Sequence, residues 1–85
     1  MQVQVRYFAS VRELIGVAHE VFEPPQTVQT VGALRDWLRA LDARHAAALG
    51  AGKPLRVACN QVMCDEHTAL APGCEVAFFP PVTGG

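Results

Sequence analysis

The chain has 85 residues, 51% of them hydrophobic and 18% charged, with a formal net charge of -1. That length holds one small domain, and that composition is globular rather than disordered. A near-neutral charge without a basic cluster excludes the electrostatic footprint of a nucleic-acid binder, and no apolar run approaches the ~18 residues that a membrane span needs.

Residues 2–8 alternate polar and apolar, with Val3, Val5 and Tyr7 on one side and Phe8 on the other, the period of a half-buried strand. The same stretch lacks the charged and apolar blocks of a secretory signal, so none is expected. Ser10 and Glu13 have the S-x-x-E spacing of a capping box, with Ala9 and Leu14 placed as a weak staple. Leu14 and Ile15 give a short helix its apolar side, and Gly16 is a natural stop. Residues 19–23 read as a second strand, closed by Pro24 and Pro25.

Thr30 is placed as an N-cap for the longest helical pattern. Leu34, Trp37, Leu38, Leu41 and His45 recur at i, i+3, i+4, i+7 and i+11, one apolar stripe on one helix. Arg35, Asp36, Arg39 and Asp42 fall on its wet side, and Arg44 and His45 stand against the negative end of its dipole before Gly50. Trp37 has the spacing of a core anchor rather than of a cofactor platform.

Residues 55–59 alternate again, Asn60-Gln61 supplies a tight turn into 62–64, and Asp65-Glu66-His67 is a polar loop. Pro72-Gly73 is a turn, and residues 75–79 form a last strand halted by Pro80 and Pro81, which cannot donate ladder hydrogen bonds. The order predicts an α+β sheet with its main helix on one face. Parallel pairing of the first and last strands at the sheet centre would make this a β-grasp, the ubiquitin-like order; periodicity leaves that pairing open.

Cys59, Cys64 and Cys74 are odd in number and lack C-x-x-C spacing, which suits free thiols packed in a core in a reducing, cytoplasmic compartment. His19, His45 and His67 are dispersed, and no Ser or Cys has a recognisable nucleophile setting. Neither an internal catalyst nor a metal site is expected. The chemistry is instead placed at the end of the chain, Gly84-Gly85. Glycine gives up the most backbone freedom when fixed, so a pair of them at an ordered end fits a terminus that enters a place too narrow for a Cβ. What enters last is the α-carboxylate.

The closing run from Glu75 through Phe78-Phe79-Pro80-Pro81-Val82-Thr83 to Gly84-Gly85 resembles the molybdopterin synthase small-subunit family, part of the MoaD/ThiS ubiquitin-like superfamily. Phe8-Ala9-Ser10-Val11-Arg12-Glu13-Leu14-Ile15-Gly16 and Val57-Ala58-Cys59-Asn60-Gln61 extend the resemblance along the chain, and FFPPVTGG is its specific part. The resemblance implies a β-grasp domain over 1–80 and an extended tail over 81–85. It also implies a sulfur carrier that is the small subunit of a two-subunit sulfurtransferase.

In such a carrier, a ubiquitin-activating-like adenylyltransferase joins AMP to the Gly85 carboxylate, and a persulfide sulfur donor converts the product to a thiocarboxylate. The sulfur then goes to cyclic pyranopterin monophosphate in the large subunit, building the molybdopterin dithiolene of the molybdenum cofactor. The implied assembly is a heterotetramer of small and large subunits. A transient AMP ester and a covalent sulfur at Gly85 are expected in place of any permanently bound cofactor.

By the same resemblance Pro80, Pro81, Val82, Thr83 and Gly84 carry Gly85 into the partner, and Phe79, Phe8, Arg12 and Met63 match positions of the subunit interface. Phe8, Met63 and Phe79 would form an apolar patch on the sheet face away from the helix. The competing placements are Phe8 and Phe79 as core and Arg12 as a solvated helix residue. Three other functions share the ending: a carrier for thiamine thiazole, whose bacterial form is shorter and lacks the FFPPVTG lead-in; a ubiquitin-like modifier joined through Gly85 to lysines; and an interaction module with an unmodified tail.

Overall fold

Val3, Val5 and Tyr7 are buried along the first strand, β1 (Val3–Tyr7), in the computed structural model, which describes residues 1–81. The chain passes directly into α1 (Ala9–Ile15), stops at Gly16, and returns as β2 (His19–Phe22) antiparallel to β1. Gly16 takes φ 95°, the left-handed conformation that glycine adopts without a Cβ clash, and its N–H donates to Arg12 O at 2.8 Å. Two helices follow, α2 (Val31–Arg39) and α3 (Ala43–Leu49), and then β3 (Arg56–Cys59), β4 (Val62–Cys64) and β5 (Glu75–Phe79).

The five strands lie in the order β2-β1-β5-β3-β4, with β1 and β5 parallel at the centre and the other neighbours antiparallel. This is the β-grasp arrangement. Asn60 and Gln61 turn β3 into β4 with φ 50° and 66°, the two left-handed residues of a tight hairpin turn. All three helices pack on one sheet face. Val11 and Ile15 of α1, Leu34 and Leu38 of α2, and Ala48 and Leu49 of α3 meet Val3, Val5, Tyr7, Val76 and Phe78 in one core. Trp37 packs at its margin, edge-on to Phe22 with ring centroids 5.5 Å apart, as the core-anchor reading expects.

Three local expectations are corrected. The Ser10–Glu13 capping box does not form. Phe8 is the N-cap of α1 and has no side-chain cap bond, and its carbonyl accepts from Val11 N and Arg12 N at 3.1 and 3.4 Å, so Ser10 lies inside the helix. The apolar side of that helix is Val11 and Ile15; Leu14 is exposed, which removes the staple.

The long helix is two. Thr30 Oγ1 does accept from Ala33 N at 3.1 Å, as an N-cap should, but Asp42 caps a second helix by accepting from His45 N at 2.9 Å. A carboxylate that captures the backbone N–H three residues on restarts a helix rather than continuing one, and Leu41 at the break is exposed. His45 therefore stands in the first turn of α3, not at a helix C-terminus.

His45 is buried between carboxylates. Its Nδ1 lies 2.8 Å from Asp42 Oδ1 and its Nε2 2.8 Å from Glu20 Oε1, the oxygen to which Tyr7 donates its hydroxyl at 2.9 Å. A neutral imidazole has one N–H, so two carboxylate partners fit the imidazolium, which has two. Burial works against that charge, but the hydrogen bonds to Asp42 and Glu20 outweigh it and raise the pKa above its ordinary value. Burial and the Glu20 hydrogen bond likewise hold Tyr7 protonated.

Arg35 closes the other end of α3. Its Nε donates to Leu49 O at 2.8 Å, and its Nη2 donates to Gly50 O at 2.6 Å and Lys53 O at 3.0 Å. The guanidinium thus satisfies carbonyls that a helix end leaves without partners. It is not a wet-side ornament of α2.

Two predictions follow from these contacts. Because the His45 pKa is raised on folding, its stabilisation is complete below the ordinary histidine value near ~6.5 and is lost as pH rises through the folded value. The thermal midpoint should fall as pH is raised through that window, and His45→Gln should flatten the slope there; an unchanged slope in the variant would refute the charged form. Arg35→Ala should destabilise the domain by about 2 kcal/mol, a midpoint drop of roughly 10 °C measured by calorimetry. Arg35→Lys should recover only part of it, since an ammonium cannot span the three carbonyls as a planar fork does.

Candidate functional site

The sheet face opposite the helices is uncovered in the domain. Cross-strand partners share a face, so the register places Arg6, Ala77, Ala58 and Met63 in one row across β1, β5, β3 and β4. Arg56 and Phe79 form the next row. The small side chains of Ala58 and Ala77 are only 8% exposed, a low floor between longer neighbours. Arg6 Nε donates to Glu75 Oε1 at 2.8 Å across β1 and β5. This pair is solvent-facing and stabilises little.

Phe8 extends the β1–β5 ladder by one residue. Its backbone is extended, φ -128° and ψ 153°, and its N–H donates to Phe78 O at 3.2 Å. The Phe8 ring is 48% exposed and stands edge-on to Phe79, with centroids 6.4 Å apart and planes at 88°. The core placement of Phe8 is thereby set aside. Phe79 is half-buried beside it, and Met63, 53% exposed, lies on the same face two strands from Phe79.

Arg12 is exposed on α1, joined to this cluster through its backbone N–H on Phe8 O, and among the described residues neither Arg12 nor Arg56 has a carboxylate within ion-pair distance. Pro80 and Pro81 leave β5 directly beyond Phe79, both half-buried. Val82, Thr83, Gly84 and Gly85, on which the sequence places the reacting end, lie outside the described residues, as does most of the expected 81–85 tail.

The side chains offer no competing reaction centre among the described residues. Cys74 is buried, and Cys59 and Cys64 are partly buried against the core. Burial, with the neighbouring Cys74 and Cys64, pushes the Cys59 thiol up, so it stays protonated and is a poor nucleophile at neutral pH. Among the described residues no group of three or more His, Cys, Asp or Glu side chains stands where it could hold a metal ion. A concavity of about 570 Å3 opens between α2 and β3–β4, with Val57 and Phe78 in its floor and Arg35 and Asp65 on its walls. Arg35 is already engaged by the backbone carbonyls that it caps. No described helix is long and apolar enough to cross a membrane.

Sequence reasoning missed three parts of this surface. The outward positions of Arg6 and Arg56 were readable from period-two alternation, since each neighbours a core-facing residue. The Arg6–Glu75 pair needed the parallel register, and the turn at Ala9, with φ 51°, carries no sequence signal because alanine is a helix former.

Comparison with known proteins agrees with the β-grasp fold. The molybdopterin synthase sulfur carrier subunit of Escherichia coli (strain K12) is 46% identical over 83 residues, 98% of this chain and 99% of that one. Among solved structures, the small archaeal modifier protein 1 of Haloferax volcanii superposes with a TM-score of 0.73 at 27% identity, covering 95% of this chain and 98% of that one. A protein–protein complex of subunits 1 and 2 of the molybdopterin-converting factor from Helicobacter pylori contains a chain that superposes with a TM-score of 0.66 at 25% identity, with both chains covered completely. The sequence profile of the ThiS family matches residues 5–85, and the chain belongs to that family.

Proposed function

We propose that this protein is the sulfur-carrying small subunit of a molybdopterin synthase. One observation carries the proposal: the exposed Phe8 and the half-buried Phe79 pair edge-on at the root of a segment that leaves the sheet through Pro80 and Pro81 and leads to Gly84-Gly85. A docking surface and a reactive chain end are thus attached to the same end of the sheet. Relatives named molybdopterin synthase sulfur carrier subunit support the pathway, and the two-subunit complex from Helicobacter pylori supports a large-subunit partner.

The chemistry follows from the chain end. A C-terminal carboxylate, with a reference pKa of ~3.3–3.7, is ionised at neutral pH and is a poor electrophile. An adenylyltransferase related to ubiquitin activators supplies the leaving group by joining AMP to Gly85. The terminal sulfur of a persulfide donor attacks the acyl-adenylate and expels AMP. A second thiol of the donor cleaves the resulting acyl disulfide, leaving the thiocarboxylate on Gly85 and a disulfide on the donor. The thiocarboxylate sulfur then bonds to cyclic pyranopterin monophosphate, and water cleaves the acyl–sulfur bond and restores the carboxylate. From Pro81 to Gly85 an extended chain spans at most roughly 17 Å, enough to thread a pocket while Phe8 and Phe79 dock outside it. Acid and base groups for the transfer belong to the large subunit, since this chain presents none at its tail. The assembly is a heterotetramer working in the cytoplasm, where the nucleotide and the persulfide donor are at hand.

The likeness to a small archaeal modifier protein favours a second reading, in which the same acyl-adenylate is passed to a lysine of a target protein. Intact mass separates the two. After incubation with adenylyltransferase, ATP and persulfide donor the chain should gain about 16 Da, oxygen replaced by sulfur, and lose it again on adding the large subunit and cyclic pyranopterin monophosphate. Conjugation to lysines without that gain would favour the modifier. Return of the mass only on coupling to thiazole synthesis would assign the carrier to thiamine.

Removal of Gly85 should abolish transfer while leaving the thermal midpoint nearly unchanged; a large drop would make the tail part of the fold. Phe79→Ala should weaken association with the large subunit by roughly 2 kcal/mol, about thirtyfold in Kd by calorimetric titration.

A further inference from the structure

Alanine 9 is the first residue of α1, yet its φ is 51°. For an L-residue with a Cβ this left-handed setting is unfavourable, and it is maintained only where the surroundings require it. The requirement is visible on both sides. Phe8 is held in the ladder by its N–H on Phe78 O, and its carbonyl is held by Val11 N and Arg12 N. Between those two anchorages no loop residue intervenes, so the whole change of direction from strand to helix falls on Ala9. The Ala9 side chain is itself exposed, so core packing does not explain the conformation.

We propose that Ala9 is a positioning residue for docking: its left-handed turn fixes the Phe8 ring against Phe79 and sets the first turn of α1, and with it Arg12, beside that pair. The proposal rests on the reading of Phe8 and Phe79 as a large-subunit docking surface. Relaxing the turn to φ near -65° would swing the helix start relative to the strand end. Either the Phe8 ladder bond or the Phe8 carbonyl bonds would then break, and the ring would leave Phe79.

Ala9→Pro isolates this. Proline cannot take φ 51°, whereas at the first position of a helix its missing N–H has no intrahelical role. The extended Phe8 backbone is also what a residue before proline prefers. Ala9→Gly is the restoring substitution, since glycine takes the left-handed region freely.

Wild type, Phe8→Ala, Ala9→Pro, Ala9→Gly and the Phe8→Ala/Ala9→Pro double variant are titrated with the large subunit by calorimetry, and ring-to-ring nuclear Overhauser contacts between Phe8 and Phe79 are recorded. Ala9→Pro should bind about tenfold more weakly and lose the contacts, Ala9→Gly should keep both, and the double variant should bind within about twofold of Phe8→Ala alone. A folded Ala9→Pro that keeps the contacts and the wild-type affinity overturns the proposal, as does a loss that simply adds to that of Phe8→Ala. If Ala9→Pro does not fold, Ala9→Val takes its place: its β-branch strains positive φ without forbidding it, and a smaller loss through Phe8 is expected, wild-type affinity being the overturning result. If Phe8→Ala binds as tightly as wild type, the docking surface itself is wrong and this inference falls with it.

Discussion

The parallel pairing of β1 with β5 is the constraint on which the rest of the molecule depends. Parallel neighbours run the same way, so the residues that follow both strands emerge at one end of the sheet. The register sets Tyr7 beside Phe78, which brings Phe8 and Phe79 together and sends Pro80 out next to them. β5 is also flanked by β3 on its other side, so both of its edges are hydrogen-bonded. Like β1 and β3, the strand that leads into Pro80 is therefore held on both sides, and Pro80 leaves the sheet from a fixed place.

The helical layer has a complementary task. All three helices stay on one face because their apolar residues are matched to Val3, Val5, Tyr7, Val76 and Phe78. The break between α2 and α3 lets the chain fold back over the sheet within a short length, and two charged devices secure it. A buried imidazolium joins α3 to β1 and β2, and the Arg35 guanidinium joins α2 to the end of α3. The imidazole and the Arg35 bonds to Leu49 and Gly50 are partly withdrawn from water, whereas the solvent-facing Arg6–Glu75 pair stabilises little. The opposite face is left with alanines at its centre and aromatics at its end, which is a surface fit for a partner.

That division explains why a family of group carriers needs so little chemistry inside the domain. The three thiols pack in or against the core, Cys59 is held protonated by burial, and His45 is tied into the core by its carboxylate partners. A carrier that presents its cargo on a terminal carboxylate benefits from an inert body, because no side chain of its own competes for the activated acyl group. In the proposed role, docking on the open sheet face and reaction at the chain end fall to separate parts of the molecule.

Local signals in this chain were readable wherever a single element decided the outcome. The alternation of residues in β1, β3 and β5 showed which side chains face inward, Thr30 marked a helix start, Gly16 a helix end, and Asn60-Gln61 a hairpin turn, because each depends on backbone sterics within a few residues. The Gly84-Gly85 ending with its proline lead-in, the strongest functional clue, is likewise a property of the chain alone. Tertiary structure decided the rest. By sequence Asp42 lies on the solvated side of one continuous helical stripe, and its cap on His45 N is local, but the contact of His45 with Glu20 of β2 is what fixes the second helix in its place. Ser10 and Glu13 had the right spacing for a cap, but the hydrogen bonds that anchor Phe8 to β5 pulled the helix start forward to Ala9. The physical reason is the same in both cases: a partner distant in sequence supplied the stronger contact, and local preference yielded to it.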